Sequence, residues 1–419
     1  MKYVILVGDG MGDYPLPELE GRTPLEVAAT ANLDELARRG ELGRVRTIPP
    51  GMEPGSDIAN LSIAGYDPAR YHTGRAPLEA AALGVDLKPE EVAFRCNLVT
   101  LRQAEGLLFM EDYAAGHISS EEAREIIQVL DSALGQEGRR FYPGVSYRHL
   151  LVWAAGEASW RTYPPHDWSG QEVGHLMTAA AAPLWDLVRA SWPVLQNYEV
   201  NRRRLAAGKK PATSIWLWGQ GRPPQLPTLK ERFGLSGAVI SAVDLIRGIG
   251  KYAGLKPILV PGATGYLDTN YAGKVAAALA ALKEKDLVFL HVEAPDEAGH
   301  TGELKLKLQA IEDFDAKVVG PLMAGLKDLG EHRILVLCDH FTPLSLRTHS
   351  SEPVPYVLYD SRRPENHNRP YRGRGKEYRP APGAGSGTVT ALVGTVISRK
   401  GANNKEGASL TRPFLILSA

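Results

Sequence analysis

Residues 1–10 read MKYVILVGDG, and this stretch decides the fold. Tyr3 to Val7 is a run of apolar, mostly β-branched or aromatic residues that ends at Gly8-Asp9-Gly10. Such a run predicts a strand that is buried on both faces, which is typical of parallel sheets. From Thr23 to Arg39 the apolar spacing favours a helix. The chain therefore opens with the strand, loop and helix order of an α/β fold.

Two later segments repeat the pattern of a buried strand that runs into a polar loop. Leu287–Val292 leads to Asp296, and Ile334–Leu337 leads to Asp339. In open parallel sheets, ligands bind at the carboxyl ends of the strands. These loops are therefore expected to converge with the loop that follows Val7, although hundreds of residues separate them.

The middle of the chain has a different character and predicts an inserted α+β domain. It combines helical patterns such as Ser119–Leu134 with aromatic runs such as Ser214–Trp218, and it contains many prolines and glycines. Strand and helix patterning returns at Gly237–Gly254, and an Ala-rich helix is expected at Asp268–Lys285. The predicted division is an α/β domain with a mainly parallel sheet at 1–76 and 236–419, interrupted by the inserted domain at 77–235.

Length and composition bound the class of protein. A chain of 419 residues predicts two or three domains at roughly 150 residues each. The 48 Lys and Arg balance the 48 Asp and Glu, so no net charge is available to gather nucleic acid or anionic lipid. No apolar run reaches the roughly 18 residues of a membrane span, and the opening run is too short for a signal peptide, which predicts a cytoplasmic protein. With only Cys96 and Cys338, a disulfide scaffold and a thiolate zinc cluster are excluded.

The carboxyl-terminal tail departs from this pattern. From Asp360 to about residue 404 it is rich in Arg, Pro, Gly and Asn, and only Thr388–Ile397 is convincingly apolar. Such a composition cannot bury enough apolar surface to offset the entropy of ordering. A solvated or disordered extension is favoured over an RNA-binding segment.

Carboxylates and imidazoles at the predicted strand ends form a candidate metal site. Asp296 and His300 are four residues apart, so one helical turn could present both to a single cation. An Asp that caps the helix beside a surface His would explain the pair equally well. Three Asp and three His could together supply ligands for two divalent ions. They are Asp9, Asp296, His300, Asp339, His340 and His349.

Ser56 is the candidate nucleophile. It lies in Pro54-Gly-Ser56-Asp57 at an expected helix start, where backbone N–H groups favour an anion. An ordinary helix cap is the alternative role for this serine. A free hydroxyl is a weak nucleophile, and a metal ion can overcome that weakness by stabilising the alkoxide.

Long motifs give the chain a family resemblance. The segments GDGMGD, PGSDIANLSIAGYDP, YHTGRAPLEAAALGV, DYAAGHIS, VEAPDEAGHTGELKLKLQAIEDFD and DHFTPLSLRTHSSEPVPYVLYD resemble the archaeal-type 2,3-bisphosphoglycerate-independent phosphoglycerate mutases. The similarity runs from Met1 to about Asp360. That family belongs to the alkaline phosphatase superfamily, whose metal-bearing α/β domain is interrupted by a second domain.

The resemblance implies a ligand set and a reaction. One ion would be held by Asp296, His300 and His349, and the other by Asp9, Ser56, Asp339 and His340. The two ions would be divalent, drawn from Mn, Mg, Zn and Co, and no 2,3-bisphosphoglycerate would be needed. The implied glycolytic reaction is an isomerisation of 3-phosphoglycerate to 2-phosphoglycerate through a phosphoserine intermediate at Ser56. The substrate is thus a small molecule, with no nucleic-acid or membrane partner, and a homo-oligomer stays open.

Retaining glycerate between the two transfers requires further groups. His117 aligns with a substrate-facing histidine of related mutases, although a surface histidine is an equal alternative. Arg222 and Arg75 follow glycines and could grip a carboxylate or phosphate, or could form surface ion pairs instead. Four further substrate-binding candidates are Asp112, His166, Asp167 and Lys251.

Two departures from the family pattern leave other functions open. Phe341 stands where relatives usually carry a small residue, and its ring could narrow the site. The tail also differs from the usual family ending. Another phosphotransferase or phosphatase of the superfamily would use the same ions, and a catalytically inactive relative would keep the fold alone.

Overall fold

The computed structural model describes residues 1–363 of the chain, so the predictions for Thr388–Ile397 and the rest of the tail lie outside the described residues. The strands are β1 Lys2–Gly8, β2 Glu41–Val45, β3 Val92–Ala104, β4 Leu107–Asp112, β5 Arg139–Val145, β6 Arg148–Trp153, β7 Ser214–Gly221, β8 Gly237–Ile240, β9 Lys256–Ile258, β10 Leu287–Val292, β11 His332–Leu337 and β12 Val354–Asp360.

The α-helices alternate with these strands over much of the chain. They are α1 Pro24–Val27, α2 Ala31–Arg39, α3 Ser56–Ile63, α4 Pro68–Tyr71, α5 Arg75–Ala82, α6 Ser120–Leu134, α7 Ala182–Gln196, α8 Glu199–Ala206, α9 Leu229–Phe233, α10 Asp244–Tyr252, α11 Tyr271–Glu284, α12 Ala294–Thr301, α13 Leu304–Phe314 and α14 Gly320–Leu326. A π-helical turn, Asp315–Val319, joins α13 to α14.

A seven-stranded sheet carries the candidate site, in the order β2-β12-β11-β1-β10-β8-β9. The five strands from β11 to β9 are parallel, whereas β12 is antiparallel to both of its neighbours. In the centre, Val7 is in register with His291 on one side and Leu337 on the other. The carboxyl ends of β1, β10 and β11 are therefore level, as the strand-end argument predicted.

A second sheet is formed from the strands between residues 92 and 221. Its order is β4-β3-β6-β5, with β7 paired to β3, and each of these pairs is antiparallel. Helices α6 and α7 cover it around a separate core in which Trp185 packs on Trp216 with ring centroids 5.2 Å apart. The predicted α/β class with a mainly parallel sheet is confirmed.

The helix expected from Thr23 to Arg39 is two helices, so that prediction was wrong in one respect. Thr23 and Glu26 form a reciprocal capping box that starts α1. The chain leaves helical geometry at Ala28, where φ is −56° and ψ is 144°, and Ala29 N–H donates to Glu312 on α13. A contact from outside the segment replaces the continuing helical bond. No helix among residues 1–363 has the length and apolarity that crossing a membrane requires.

Candidate active site

The loops after the central strands are tied together by backbone contacts. Asp9 N–H donates to Val292 O over 2.9 Å at the end of β10, and Gly10 N–H donates to Asp339 Oδ1 over 3.1 Å beyond β11. Three chain segments that are distant in sequence thus meet at one edge of the sheet.

One candidate ligand set is fully buried and consists of Asp9, Asp339 and His340. His340 Nε2 lies 3.5 Å from both Asp9 Oδ1 and Asp339 Oδ2. Burial and the charges of Asp339 and Asp296 raise the pKa of Asp9 well above its ordinary value. Within the described residues, Asp9 Oδ1 has no hydrogen-bond partner. Because buried acceptors normally have a hydrogen-bond partner, a buried carboxylate oxygen without one is consistent with a cation ligand.

The second candidate set consists of Asp296, His300 and His349. His300 Nε2 lies 3.1 Å from Asp296 Oδ2, and His349 Nε2 lies 3.4 Å from Asp296 Oδ1. Burial acts to raise the pKa of Asp296, but hydrogen bonds from the two imidazoles outweigh it and lower that pKa. Hydrogen bonding to Asp296 raises the pKa of His300 to about 9. Glu293, not Asp296, occupies the cap position of α12, so the helix-cap alternative for Asp296 does not hold.

Ser56 faces the first ligand set from the start of α3. Its Oγ lies 3.1 Å from His340 Nε2. Gly55 is the cap residue of α3 and Ser56 is the first helical residue, so the cap alternative for this serine is not what the structure shows. Asn60, one turn later, donates to Ser56 O over 2.9 Å and to Asp339 Oδ2 over 2.8 Å. The amide thereby fixes the helix start against the strand end.

The two sets are adjacent and suit hard or borderline divalent cations. The rings of His340 and His349 have centroids 4.0 Å apart. Mixed carboxylate and imidazole donors are the ligands that Mn²⁺, Zn²⁺ and similar ions accept. His300 Nδ1 lies 3.0 Å from Arg347 O, which can fix the ring tautomer so that Nε2 is left for a cation.

Arg75, a predicted substrate ligand, is anchored beside the nucleophile. Its Nε and Nη2 bind the two carboxylate oxygens of Asp57 over 3.1 and 3.2 Å, and His72 Nε2 lies 2.9 Å from Asp57 Oδ2. Burial acts to raise the pKa of Asp57, but the His72 and Arg75 contacts prevail and lower it. Arg75 keeps 35% of its side chain exposed, so its outer face is available to an anion.

Three arginines gather near the mouth of the site, and we call Arg75, Arg95 and Arg148 the arginine cluster. The Arg95 guanidinium stacks 4.1 Å over the ring of Trp218 and binds Glu79 over 3.1 Å. Burial lowers the pKa of Arg95, and the charges of Arg75 and Arg148 lower it further. The charge of Arg148 also affects Glu293, which follows β10 of the seven-stranded sheet. Burial raises the pKa of Glu293 to about 8, and the charge of Arg148 opposes that rise. Like charges held this close favour an anionic ligand.

The predicted His117 and His166 lie beside the cluster in an aromatic group. Both rings pack edge-on against Tyr113, with centroids 6.4 and 6.2 Å away. Burial lowers the pKa of His166, and among the charges acting on it those of Arg95 and Arg75 lower it further. His117 is exposed and has a positive φ of 48°.

The remaining substrate candidates make contacts elsewhere. Asp112 pairs with Lys210 over 3.1 Å, and Lys251 donates to exposed Asp86 over 3.0 Å. The guanidinium of Arg222 donates to the backbone oxygen of Glu90. Exposed Asp167 lies 3.5 Å from His166. None of these contacts places the side chain among the ligand sets.

Sequence reasoning missed several residues that the structure brings to the site. His291 sits inside the apolar run of β10, with Nε2 3.0 Å from Asp9 Oδ2, and burial lowers its pKa to about 4. A histidine within an otherwise apolar strand was the available signal. The sequence around Arg95 and Arg148 does not indicate a role in the site, because only the pairing of β3 with β6 and β7 brings these side chains toward it.

Phe341 packs on Gly12 and Tyr14 in the loop that follows Asp9. A Cβ at Gly12 would lie 1.9 Å from its ring, and the ring centroid is 6.3 Å from that of Tyr14. The ring thus occupies space that is available only because residue 12 is a glycine.

Comparison with known proteins agrees with this geometry. A family model described as 2,3-bisphosphoglycerate-independent phosphoglycerate mutase matches residues 37–201. The chain is 56% identical over 368 residues to a probable 2,3-bisphosphoglycerate-independent phosphoglycerate mutase of Geobacter sulfurreducens, covering 87% of this chain and 92% of that protein. It is 53% identical to the enzyme of that name from Methanosarcina acetivorans, over 86% of this chain and 90% of that one. The chain belongs to the 2,3-bisphosphoglycerate-independent phosphoglycerate mutase family.

Two solved structures are also similar to this family member in sequence and fold. The PH0037 protein from Pyrococcus horikoshii is 31% identical, with a TM-score of 0.74 and coverage of 88% of this chain and 90% of that one. The cofactor-independent phosphoglycerate mutase from Thermoplasma acidophilum is 27% identical, with a TM-score of 0.57 and coverage of 86% and 90%. The predicted family is confirmed.

Proposed function

We propose that the protein interconverts 3-phosphoglycerate and 2-phosphoglycerate through phosphorylation of Ser56, without 2,3-bisphosphoglycerate. The observation that carries this proposal is the position of Ser56 Oγ, 3.1 Å from His340 of the first ligand set, whose ring lies next to that of His349 in the second set. Names of relatives at more than half identity support the same activity.

The two ligand sets fit two divalent cations. Asp296, His300 and His349 would hold one, and Asp9, Asp339, His340 and Ser56 would hold the other. When bound, two such cations neutralise phosphate oxygens and favour the ionised form of a nearby hydroxyl. The unpartnered Asp9 Oδ1 and the mixed donor chemistry support this assignment.

The chain's own residues then define the transfer. Ser56 Oγ forms a bond to phosphorus while the bond between phosphorus and the 3-oxygen of glycerate breaks. The proton that Ser56 loses is balanced by the proton that the 3-oxygen gains, and the exposed imidazole of His117 is the proposed carrier. In the second step the 2-oxygen loses its proton and forms a bond to phosphorus while the bond between phosphorus and Ser56 Oγ breaks. Ser56 Oγ takes up a proton in exchange, which restores the free serine.

Glycerate must stay bound and reorient between the two steps, and we assign that role to the arginine cluster. Arg75 is fixed by Asp57, and Arg95 is fixed by Glu79 and Trp218, so both guanidinium groups are oriented before substrate arrives. Guanidinium groups bind carboxylate and phosphate through paired hydrogen bonds. We propose with it the division into a metal-binding unit at 1–76 and 236–419 and a substrate-handling unit at 77–235, in which Arg75 belongs to the first unit and Arg95 and Arg148 to the second.

Replacing the nucleophile tests the proposal. Ser56→Ala should abolish formation of 2-phosphoglycerate from 3-phosphoglycerate, because it removes the oxygen that attacks phosphorus. Ser169→Ala, at an exposed serine of the second unit, is the matched control and should keep full activity. Wild-type protein trapped with substrate should also gain one phosphate, located at Ser56 by mass spectrometry.

Two outcomes would contradict the proposal. Turnover that survives in Ser56→Ala would exclude the phosphoserine route. Wild-type protein that releases phosphate and glycerate but no 2-phosphoglycerate would be a phosphatase rather than a mutase.

A further inference from the structure

Lys307 is a fully buried lysine whose ammonium group the proposed mechanism does not use. It lies on α13, and its side chain is 0% exposed. Its Nζ donates to Asp13 Oδ2 over 2.7 Å, to Gly12 O over 3.0 Å and to Thr342 O over 2.6 Å. An ammonium group has three protons to donate, so all three are satisfied.

The three acceptors belong to the two loops that carry the first ligand set. Gly12 and Asp13 follow Asp9 in the loop after β1, and Thr342 follows His340 in the loop after β11. Asp13 also accepts from Leu344 N–H, with its two carboxylate oxygens 3.1 and 3.3 Å away. We call Lys307, Gly12, Asp13, Thr342 and Leu344 the lysine clamp.

Thr342 connects the clamp to both ligand sets. Its hydroxyl donates to Asp296 Oδ1 and lies 3.3 Å from His340 Nδ1. Its backbone N–H donates to Gly12 O over 3.2 Å. One residue therefore touches a ligand of each proposed cation while its carbonyl is held by Lys307.

We propose that Lys307 is a positioning residue that sets the distance between the two cation sites through Thr342. A buried ion pair is a weak source of stability compared with apolar packing, so a purely structural need does not explain an ammonium here. Its directional bonds instead reinforce two loops that are otherwise joined only by short β-bridges at Phe341 and by the bond from Thr342 N–H to Gly12 O, within the part of the chain that the structure describes. The inference rests on the ligand assignment proposed above.

Metal affinity is the readout that separates positioning from folding. The double variant Asp13→Asn/Lys307→Met removes both charges together, so neither is left uncompensated in the interior. Groups that orient metal ligands typically contribute about 10- to 100-fold to affinity. We expect the double variant to bind Mn²⁺ at least tenfold more weakly, by calorimetric titration of the metal-free protein. Lys317→Met is the control, because Lys317 is 53% exposed and its ammonium contacts Asp313 and the ring of Tyr271, neither of which belongs to the ligand sets.

Substitutions at Thr342 test the connection without touching the buried pair. Thr342→Val keeps the shape of the side chain and removes the hydroxyl, so Mn²⁺ affinity should fall by about tenfold or more. Thr342→Ser keeps the hydroxyl and should bind within about twofold of wild type. Thermal unfolding of the metal-free proteins reports any loss of fold separately.

The outcomes are distinguishable. If wild-type protein binds no Mn²⁺, the ligand assignment itself fails. If wild type binds Mn²⁺ and Thr342→Val binds equally well, the positioning inference is overturned while the ligand assignment stands. Should the double variant not fold, the Thr342 pair decides the question alone.

Discussion

Arg148 offers a sharp test of how glycerate is retained. It is exposed at the start of β6, yet its charge acts on Glu293 and Glu297 beside the other sheet, so its guanidinium faces the candidate site. Among residues 1–363, no carboxylate lies within ion-pair distance of it. Arg148→Gln should therefore remove a charge that is free to bind substrate and should leave the fold intact.

The size of the effect follows from the kind of contact. A hydrogen bond to a charged group contributes about 1.5–3 kcal/mol, and about 1.4 kcal/mol corresponds to a factor of ten. We expect kcat/KM for 3-phosphoglycerate to fall by about 10- to 150-fold. The glycerate carboxylate keeps its charge throughout phosphoryl transfer, so ground state and transition state lose the contact equally. Most of the loss should appear as a higher KM.

Steady-state kinetics against a matched variant checks this expectation. Arg140→Gln is the control, because Arg140 on β5 is 62% exposed and pairs with Asp131 of α6. Hydrolysis of a small phosphate ester without a carboxylate, such as p-nitrophenyl phosphate, should change little in either variant. A loss below twofold, or a fall in kcat at unchanged KM, would refute the assignment of Arg148 to glycerate.

Two further predictions concern residues outside the ligand sets. Burial lowers the pKa of His149 to about 3 from an ordinary 6.5, so the unfolded chain binds a proton that the folded chain excludes. The contribution of His149 to stability should be complete above pH 6.5 and fall by about 1.4 kcal/mol per pH unit below it, and His149→Gln should make the fall in stability shallower in urea unfolding between pH 7 and 5. Parallel slopes would contradict this source of acid sensitivity. Phe341→Ser should lower the free energy of unfolding by about 2 kcal/mol, since its half-buried ring packs on Gly12, while kcat/KM changes less than about threefold. A tenfold rise in kcat/KM would show that the ring does narrow the site.

The strand ends could be predicted because local pattern and topology agree there. Parallel strands that are buried on both faces have continuous apolar sequences. The residues that follow such strands therefore lie together at the carboxyl edge of the sheet. Asp9 and Asp339 follow β1 and β11, and the observed register brings both loops together. His300 could be placed because a spacing of four residues on α12 fixes it next to Asp296.

Residues whose role depends on long-range pairing could not be predicted. Lys307 lies in a helical pattern that predicts only a surface lysine, and its burial follows from the closing of two loops that are 295 and 35 residues away. Arg95 belongs to β3, which pairs with β6 and β7. Nothing in its local sequence indicates these pairings, or which face of the resulting sheet lies toward the candidate site. The break after α1 has the same origin, because Glu312 of α13 supplies the contact.

The way the second sheet is attached bears on why such a site could transfer phosphate rather than hydrolyse its substrate. Gly74 has a φ of 131°, and a Cβ there would lie 2.1 Å from Gln220 O, so the chain entering the second sheet touches the chain leaving it, immediately before Arg75. Helix α5, which begins at Arg75, packs against α10, the helix that follows β8 of the seven-stranded sheet, where a Cβ at Gly248 would lie 1.8 Å from Leu78 O. One arginine of the cluster is thus fixed to the ligand-bearing sheet, whereas Arg95 and Arg148 belong to the other sheet. Hydrolysis needs only the ligand sets and Ser56. Retaining glycerate while its phosphate is on Ser56 needs anion-binding groups from both parts at once, and the arginine cluster is distributed in that way.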